Sequence, residues 1–176
     1  MWWSEEVQAI ADGPTPTADA HFIVGQAYYV VRRAKSIAHY QKAIALDPTH
    51  GPANLFYGRC LADGEGGLTA DKVAALACYE IAVAAGLVDA NRFAGDAYQN
   101  GWGCTQDDAK SILFYEAAAA AGHPGANFNL GISRLYGDHG LKEDHVAAVH
   151  YLKAAAGSIG PANTVLGNCA MEGKRT

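Results

Sequence analysis

The dipeptide Ala-Asn recurs at Ala53-Asn54, Ala90-Asn91, Ala126-Asn127 and Ala162-Asn163, in steps of 37, 36 and 36 residues. A period of that length means stacked supersecondary units, each burying its apolar face only against its neighbours. Five residues after each alanine stands a glycine, at Gly58, Gly95, Gly131 and Gly167. An upstream copy fits as Ala20 with Gly25, one shorter step of 33 earlier. Tyr79, Tyr115 and Tyr151 also keep a 36-residue step and lead into alanine-rich runs closed by Gly86, Gly122 and Gly157. Each unit therefore holds two helices.

In the first helix of each unit, offsets 0, +4, +5 and +8 from the alanine fall within one arc at about 100° per residue, and they are mostly small or apolar. That arc is the expected buried face. Glycine inside a helix costs about 0.5–1 kcal/mol relative to alanine, so its return at +5 asks for a packing reason, and close approach of the second helix supplies it. Gly86, Gly122 and Gly157 stand where a left-handed residue would end the second helix, with Pro124 and Pro161 stopping its continuation. Between the two helices run Gly64-Glu65-Gly66-Gly67, Gly101-Trp102-Gly103 and Gly137-Asp138-His139-Gly140, which read as turns.

The segment ANRFAGDAYQNGWGCTQDDAKSILFYEAAAAAGHPGA resembles the Sel1-like repeat, a member of the tetratricopeptide superfamily, in its Ala, Gly, Tyr, Gly-x-Gly, Asp and Ala-Ala-x-x-Gly marks. Three units resemble it, at 53–89, 90–125 and 126–161. The unit at 18–52 resembles a tetratricopeptide repeat instead, through Gly25, Tyr28, Tyr40 and the ending YQKAIALDP. Leu61 and Arg134 replace the family tyrosine in two units. The resemblance implies an all-α fold, a right-handed α-solenoid of antiparallel helix pairs forming a single repeat domain over 1–176. Residues 1–17 are expected to hold a capping helix, starting at Ser4-Glu5-Glu6, and a loop. Residues 162–176 are expected to form a lone closing helix with Asn168, Glu172, Lys174 and Arg175 facing water.

The formal net charge is −5, and the chain lacks the clustered Lys and Arg that phosphate backbones require, so nucleic acid is not the expected partner. No run approaches the roughly 18–20 apolar residues that cross a bilayer, and the opening residues lack a signal peptide's basic and apolar regions. A cytoplasmic protein without membrane insertion is expected. Cys60, Cys78, Cys104 and Cys169 have no CxxC spacing and are expected as free thiols.

Candidate chemistry is sparse. The glycine loops follow no strand and lack the Lys-Ser/Thr of a P-loop. His145 and His150 are five apart, about 140° around a helix, and so do not share a face as metal ligands would. Cys104, beside Trp102 in a turn, is the one thiol on which an alternative enzyme reading, a hydrolase or thiol enzyme, would rest, and no activating base or nucleophile elbow accompanies it. No catalytic residue, metal or cofactor is expected. Asn54, Asn91, Asn127 and Asn163 lie near helix N-termini, where they can bond free backbone N–H groups or the neighbouring repeat. The family resemblance, which puts the first helices on a concave side, offers an amide ladder reading a peptide as the alternative.

The offsets opposite the buried arc change from unit to unit. At +2 stand Phe22, Leu55, Arg92 and Phe128; at +6, Gln26, Arg59, Asp96 and Ile132; at +9, Tyr29, Ala62, Gln99 and Leu135. Aromatics, aliphatics and arginines mixed in this way suit protein recognition. The expected function is a non-catalytic scaffold or adaptor binding a protein or peptide in its concave groove, through Phe22, Gln26, Leu55, Arg59, Arg92, Asp96, Gln99, Phe128 and Ile132. A structural segment of a larger repeat protein is the alternative.

Overall fold

The computed structural model describes residues 8–10, 12–13 and 15–172, with side chains to Ala170. The expected helix start at Ser4-Glu5-Glu6 and the side chains of Glu172, Lys174 and Arg175 lie outside the described residues. The described residues are helical with no strand: α1 (Ala18–Tyr28), α2 (Arg33–Leu46), α3 (Gly51–Asp63), α4 (Lys72–Ala84), α5 (Val88–Asn100), α6 (Asp108–Ala120), α7 (Pro124–Tyr136), α8 (His145–Ala156) and α9 (Gly160–Glu172), with a 3-10 turn at Glu65–Gly67. They fall into two compact units, residues 1–90 and 91–176, whose boundary lies inside α5. In the first unit α1 packs on α2, α2 on α3 and α3 on α4. In the second α6 packs on α7, α7 on α8 and α8 on α9.

The turns inside the helix pairs are built by a repeating device. The helices α3, α5 and α7 are followed by Gly64, Gly101 and Gly137 at φ of 68°, 66° and 69°, a left-handed conformation that a side chain would strain. Each loop then reaches an aspartate, Asp71, Asp107 or Asp144, which caps the next helix by accepting the N–H of Ala74, Lys110 or Ala147 at 2.9 Å. The backbone N–H of the same aspartates ties back to the carbonyls of Leu61, Tyr98 and Arg134 at 2.9, 2.9 and 2.7 Å. A cap of this kind contributes about 1 kcal/mol. The first unit's short loop makes the backbone tie, Arg32 N–H to Tyr28 carbonyl at 2.8 Å, but Arg32 supplies no side-chain cap.

Packing explains the repeated glycine. A Cβ on Gly25, Gly58 or Gly95 would stand 2.5, 2.9 or 2.7 Å from the ring of Tyr40, Tyr79 or Tyr115, so each glycine is a notch that seats a ring of the following helix. At Gly131 the notch is filled by Leu152, 2.8 Å away. The 36-residue tyrosine step runs on to Tyr151, one residue before it. The loop before α8 is as long as that before α4 and one residue longer than that before α6, and counted from the capping aspartate the eighth residue is Tyr79, Tyr115 and Leu152. Tyr151 is left half-buried beside His150.

Two other expectations are corrected. Gly86 and Gly122 are left-handed, at φ of 83° and 82°, but Gly157 is right-handed at φ −69°. There the chain closes α8 by turning on within the helical hand, with Ser158 and Ile159 N–H both bonded to the Ala155 carbonyl. The prolines open helices rather than stop them: Pro124 begins α7 and Pro52 sits in the first turn of α3, where a missing N–H costs nothing.

Candidate protein-binding faces

In the first unit, α1 and α3 bring Phe22, Gln26 and Tyr29 beside Phe56 and Arg59, all half-buried. Phe56 lies 5.9 Å from Phe22 and 5.7 Å, edge-on, from Tyr29. Tyr40, wholly buried, forms the floor at 6.0 Å from Phe22 and 5.9 Å from Phe56, and burial pushes its hydroxyl up to about 12. Two guanidinium groups rim the rings. Arg33 stands 3.6 Å over Tyr29 with its Nε 3.3 Å from the Glu65 carboxylate, and Arg59 stands 5.4 Å from Phe56 and 5.7 Å from Tyr29. At exposed sites such cation–π pairs give about 0.5–1 kcal/mol each, enough to help hold the arginines in place.

Leu55 does not join this face. It is only 5% exposed, because an offset of +2 stands at ~200°, about 60° past the glycine at +5, and that flank is covered by packing. Phe56, at +3, takes the place on the surface that Leu55 was expected to fill.

The second unit places Arg92, Asp96 and Gln99 along α5 and Phe128, Asn129 and Ile132 along α7. Arg92 pairs with Asp96 one turn on, and its guanidinium lies 3.8 Å over the Phe93 ring. The Tyr115 hydroxyl donates to Asp96 Oδ1 at 2.7 Å and lies 2.9 Å from the Gln99 amide, while Asn129 Nδ2 donates to the same carboxylate oxygen at 3.3 Å. Burial, then the adjacent Asp96 charge, raises the Tyr115 hydroxyl above its ordinary value. Asp96 therefore satisfies its acceptors inside the unit, and Arg92 is committed to it. Phe128 and Ile132 are half-buried against the cluster of Leu152, Ala155 and Ala162. A hollow of about 480 Å³ opens where Arg92, Phe128, His123 and Ile159 converge. Gly125 makes room for it, since a Cβ there would stand 2.9 Å from Arg92 Cδ.

The asparagines serve the scaffold. Asn54 and Asn127 are 1% and 5% exposed. Asn54 Nδ2 donates to the carbonyls of Pro48 and His50, Asn127 Nδ2 to that of His123 and Asn163 Nδ2 to that of Ala156, at 2.9–3.0 Å. They bond carbonyls at the end of the preceding repeat, one of the two expected roles, rather than free N–H groups. Those N–H groups are served by histidine: His50 Nδ1 accepts from Ala53 N–H at 3.0 Å and His123 Nδ1 from Ala126 N–H at 3.2 Å. Histidine is not a common cap, and this role went unread in the sequence.

Among the described residues no three His, Cys, Asp or Glu side chains gather to hold a metal ion, and no helix is long and apolar enough to cross a membrane. The cysteines are free thiols; Cys104 is half-buried, with its S–H 3.7 Å from the Ala97 carbonyl.

A family model of the Sel1 repeat matches residues 18–48, 51–87, 88–123 and 124–157. The chain belongs to the Sel1 repeat family. The match includes the unit that resembles a tetratricopeptide repeat. Solved structures share the fold at low identity. One is c5321, a protective antigen of uropathogenic Escherichia coli strains displaying an SLR fold, with a TM-score of 0.84 and 23% identity over 97% of this chain and 36% of that one. This Sel1 chain thus spans about a third of that protein's length. Another is a Sel1 repeat protein from Oxalobacter formigenes, with a TM-score of 0.80 and 22% identity over 96% and 70% of the two chains. A third is MamA, with a TM-score of 0.60 and 21% identity over 87% and 84%. No curated protein matches the chain in sequence. Proteins of this family typically act as protein-interaction scaffolds, and the fold is typically non-catalytic.

Proposed function

We propose that this Sel1 repeat protein is a non-catalytic scaffold that holds a peptide or protein partner on the variable faces of its first helices. The observation that carries this reading is the half-buried nest of Phe22, Tyr29 and Phe56 rimmed by Arg33 and Arg59. Aromatic and arginine side chains held in place lose little entropy on docking, which is why they dominate interface energetics. The second unit contributes Phe128 and Ile132 beside the Arg92 hollow. Its arginine is paired with Asp96, and the guanidinium proposed to meet a partner's carboxylate is Arg59, held over Phe56 at the rim of the aromatic nest.

The test replaces Arg59 by Glu, a substitution on a half-buried surface. Partner captured by the wild-type chain from native extract is purified and titrated against both proteins, with circular dichroism confirming equal helix content. Affinity should fall about tenfold, corresponding to ~1.4 kcal/mol. Equal affinity for a well-folded Arg59→Glu chain removes the first unit from the binding site.

A further inference from the structure

Three histidines sit in the first unit where the fold uses unprotonated nitrogens. His21 on α1 and His39 on α2 are 6% and 5% exposed, and their Nδ1 atoms face each other at 3.1 Å with ring centroids 5.3 Å apart. At that distance one ring donates its single Nδ1 hydrogen and the other accepts. A first added proton can go to an outer Nε2 and leave this bond intact. A second would put hydrogens on both Nδ1 atoms and two cations on facing rings, so the contact cannot survive it. Close by, His50 accepts the Ala53 N–H with Nδ1, which assigns its hydrogen to Nε2, 3.0 Å from Asp19. Protonation of Nδ1 there would remove the acceptor that caps α3.

We propose that the His21–His39 contact is an acid-operated latch on the α1–α2 seam, closed at neutral pH and forced open when both rings are protonated. The groups around it set the sense of the switch. Lys42 and Lys35 of α2 repel added protons, while Asp12, bonded by Gln8 in the segment before α1, favours them. Tyr28 of α1 stacks on His39 at 6.0 Å. Burial is the largest effect on both rings and holds each below the ordinary histidine value, with the lysines adding to it. Because the folded chain binds protons less readily than the unfolded one, the latch contributes its full stability above about pH 6.5 and loses it as pH falls.

The partner face shares α1 with the latch: Phe22 follows His21 directly, its ring lies 5.5 Å from that of His50, and Gln26 and Tyr29 lie one and two turns on. Opening the seam would displace these side chains, so acid would release a bound partner. That consequence rests on the proposed binding face, whereas the latch does not.

The experiment reads the two separately. Imidazole resonances are followed by NMR from pH 8 to 4.5, and hydrogen exchange at Val24, Gly25 and Tyr28 in α1 is compared with Leu152 in α8, each corrected for its intrinsic pH dependence. In the wild type two imidazoles should titrate below the ordinary histidine range, and α1 protection should drop about tenfold more than α8 protection between pH 7 and 5. His21→Gln keeps a neutral partner for His39 and removes the second proton site, so its α1 protection should change less than about twofold. Ordinary titration of both rings, or a parallel loss of protection in α1 and α8, overturns the latch. So does a His21→Gln chain that opens like the wild type. Should that variant fail to fold, the wild-type titration and exchange decide the matter. An opening seam with partner affinity unchanged at pH 5 keeps the latch and overturns the face assigned to α1.

Discussion

Replacing Gly95 by Ala tests whether the repeated glycine is a packing notch or merely tolerated. The added Cβ would meet Tyr115 Cε1 at 2.7 Å, Cδ1 at 2.8 Å and Cζ at 3.2 Å. Carbon atoms prefer about 3.5–4.0 Å, so the overlap is close to ~0.8 Å. The ring cannot swing away cheaply, because it is 1% exposed and its hydroxyl is fixed on Asp96. Overpacking of this kind costs about 1–3 kcal/mol, and alanine returns about 0.5–1 kcal/mol by stiffening the unfolded chain and favouring helix. The expected net loss is about 0.5–2 kcal/mol. Gly167 occupies the same repeat position in α9, yet a Cβ there meets nothing within 4 Å. Gly167→Ala keeps the gain and escapes the clash, so it should stabilise by about 0.5–1 kcal/mol. Thermal unfolding followed by circular dichroism reads both, at roughly 2–4 °C per kcal/mol for a chain of this size. The notch argument fails if the two substitutions move Tm in the same direction, or if Gly95→Ala is at least as stable as the wild type.

The tyrosine floors should respond differently to loss of their hydroxyls. Tyr115→Phe strips a half-buried carboxylate of a donor and should cost about 1–2 kcal/mol in urea unfolding, whereas the Tyr40 hydroxyl makes no well-formed hydrogen bond and Tyr40→Phe should cost under about 0.5 kcal/mol; equal costs would refute the distinction. Burial pushes the thiols of Cys60 and Cys78 up to about 12 and about 11. At pH 8 both should react with iodoacetamide at least about a hundredfold more slowly than a free thiol until the chain unfolds, as mass spectrometry of timed samples will show. Rapid labelling of Cys60 in the folded protein would contradict its placement.

Much of the scaffold was legible because its devices repeat. The glycine at +5 could be read as a notch before any contact was known, since only close approach makes a helix-interior glycine worth keeping. The Gly-to-Asp loops carried a second periodic signal, and its full meaning, a left-handed glycine followed by an aspartate that both caps and ties back, emerged only from the hydrogen bonds. The 36-residue tyrosine step runs on to Tyr151, but the loop before α8 is one residue longer than that before α6, so the side chain eight after the capping aspartate, Leu152, fills the notch. The surface was harder to read. Leu55 and Phe56 are adjacent and both apolar, and which one is buried depends on how far packing extends around α3. The histidine contact was illegible, because His21 and His39 are eighteen residues apart and meet only once α1 and α2 are paired.

The two units show why the variable offsets carry the difference in function. Tyr40 and Tyr115 occupy the same repeat position, each seated in a glycine notch and each reaching toward the surface of its unit. Over Tyr115 the +6 and +9 residues are Asp96 and Gln99, and Asn129 reaches in from the next helix, so the hydroxyl is locked in a polar network. Over Tyr40 the same offsets are Gln26 and Tyr29, and the residue equivalent to Asn129 is Phe56, so the ring is covered by other rings, with Arg33 stacked in turn on Tyr29. One scaffold position thus supports an internally satisfied surface in one unit and an aromatic, cationic one in the other. A partner gains more from the second, because the Phe22 and Phe56 rings can be met without breaking hydrogen bonds such as those that lock Asp96 in the other.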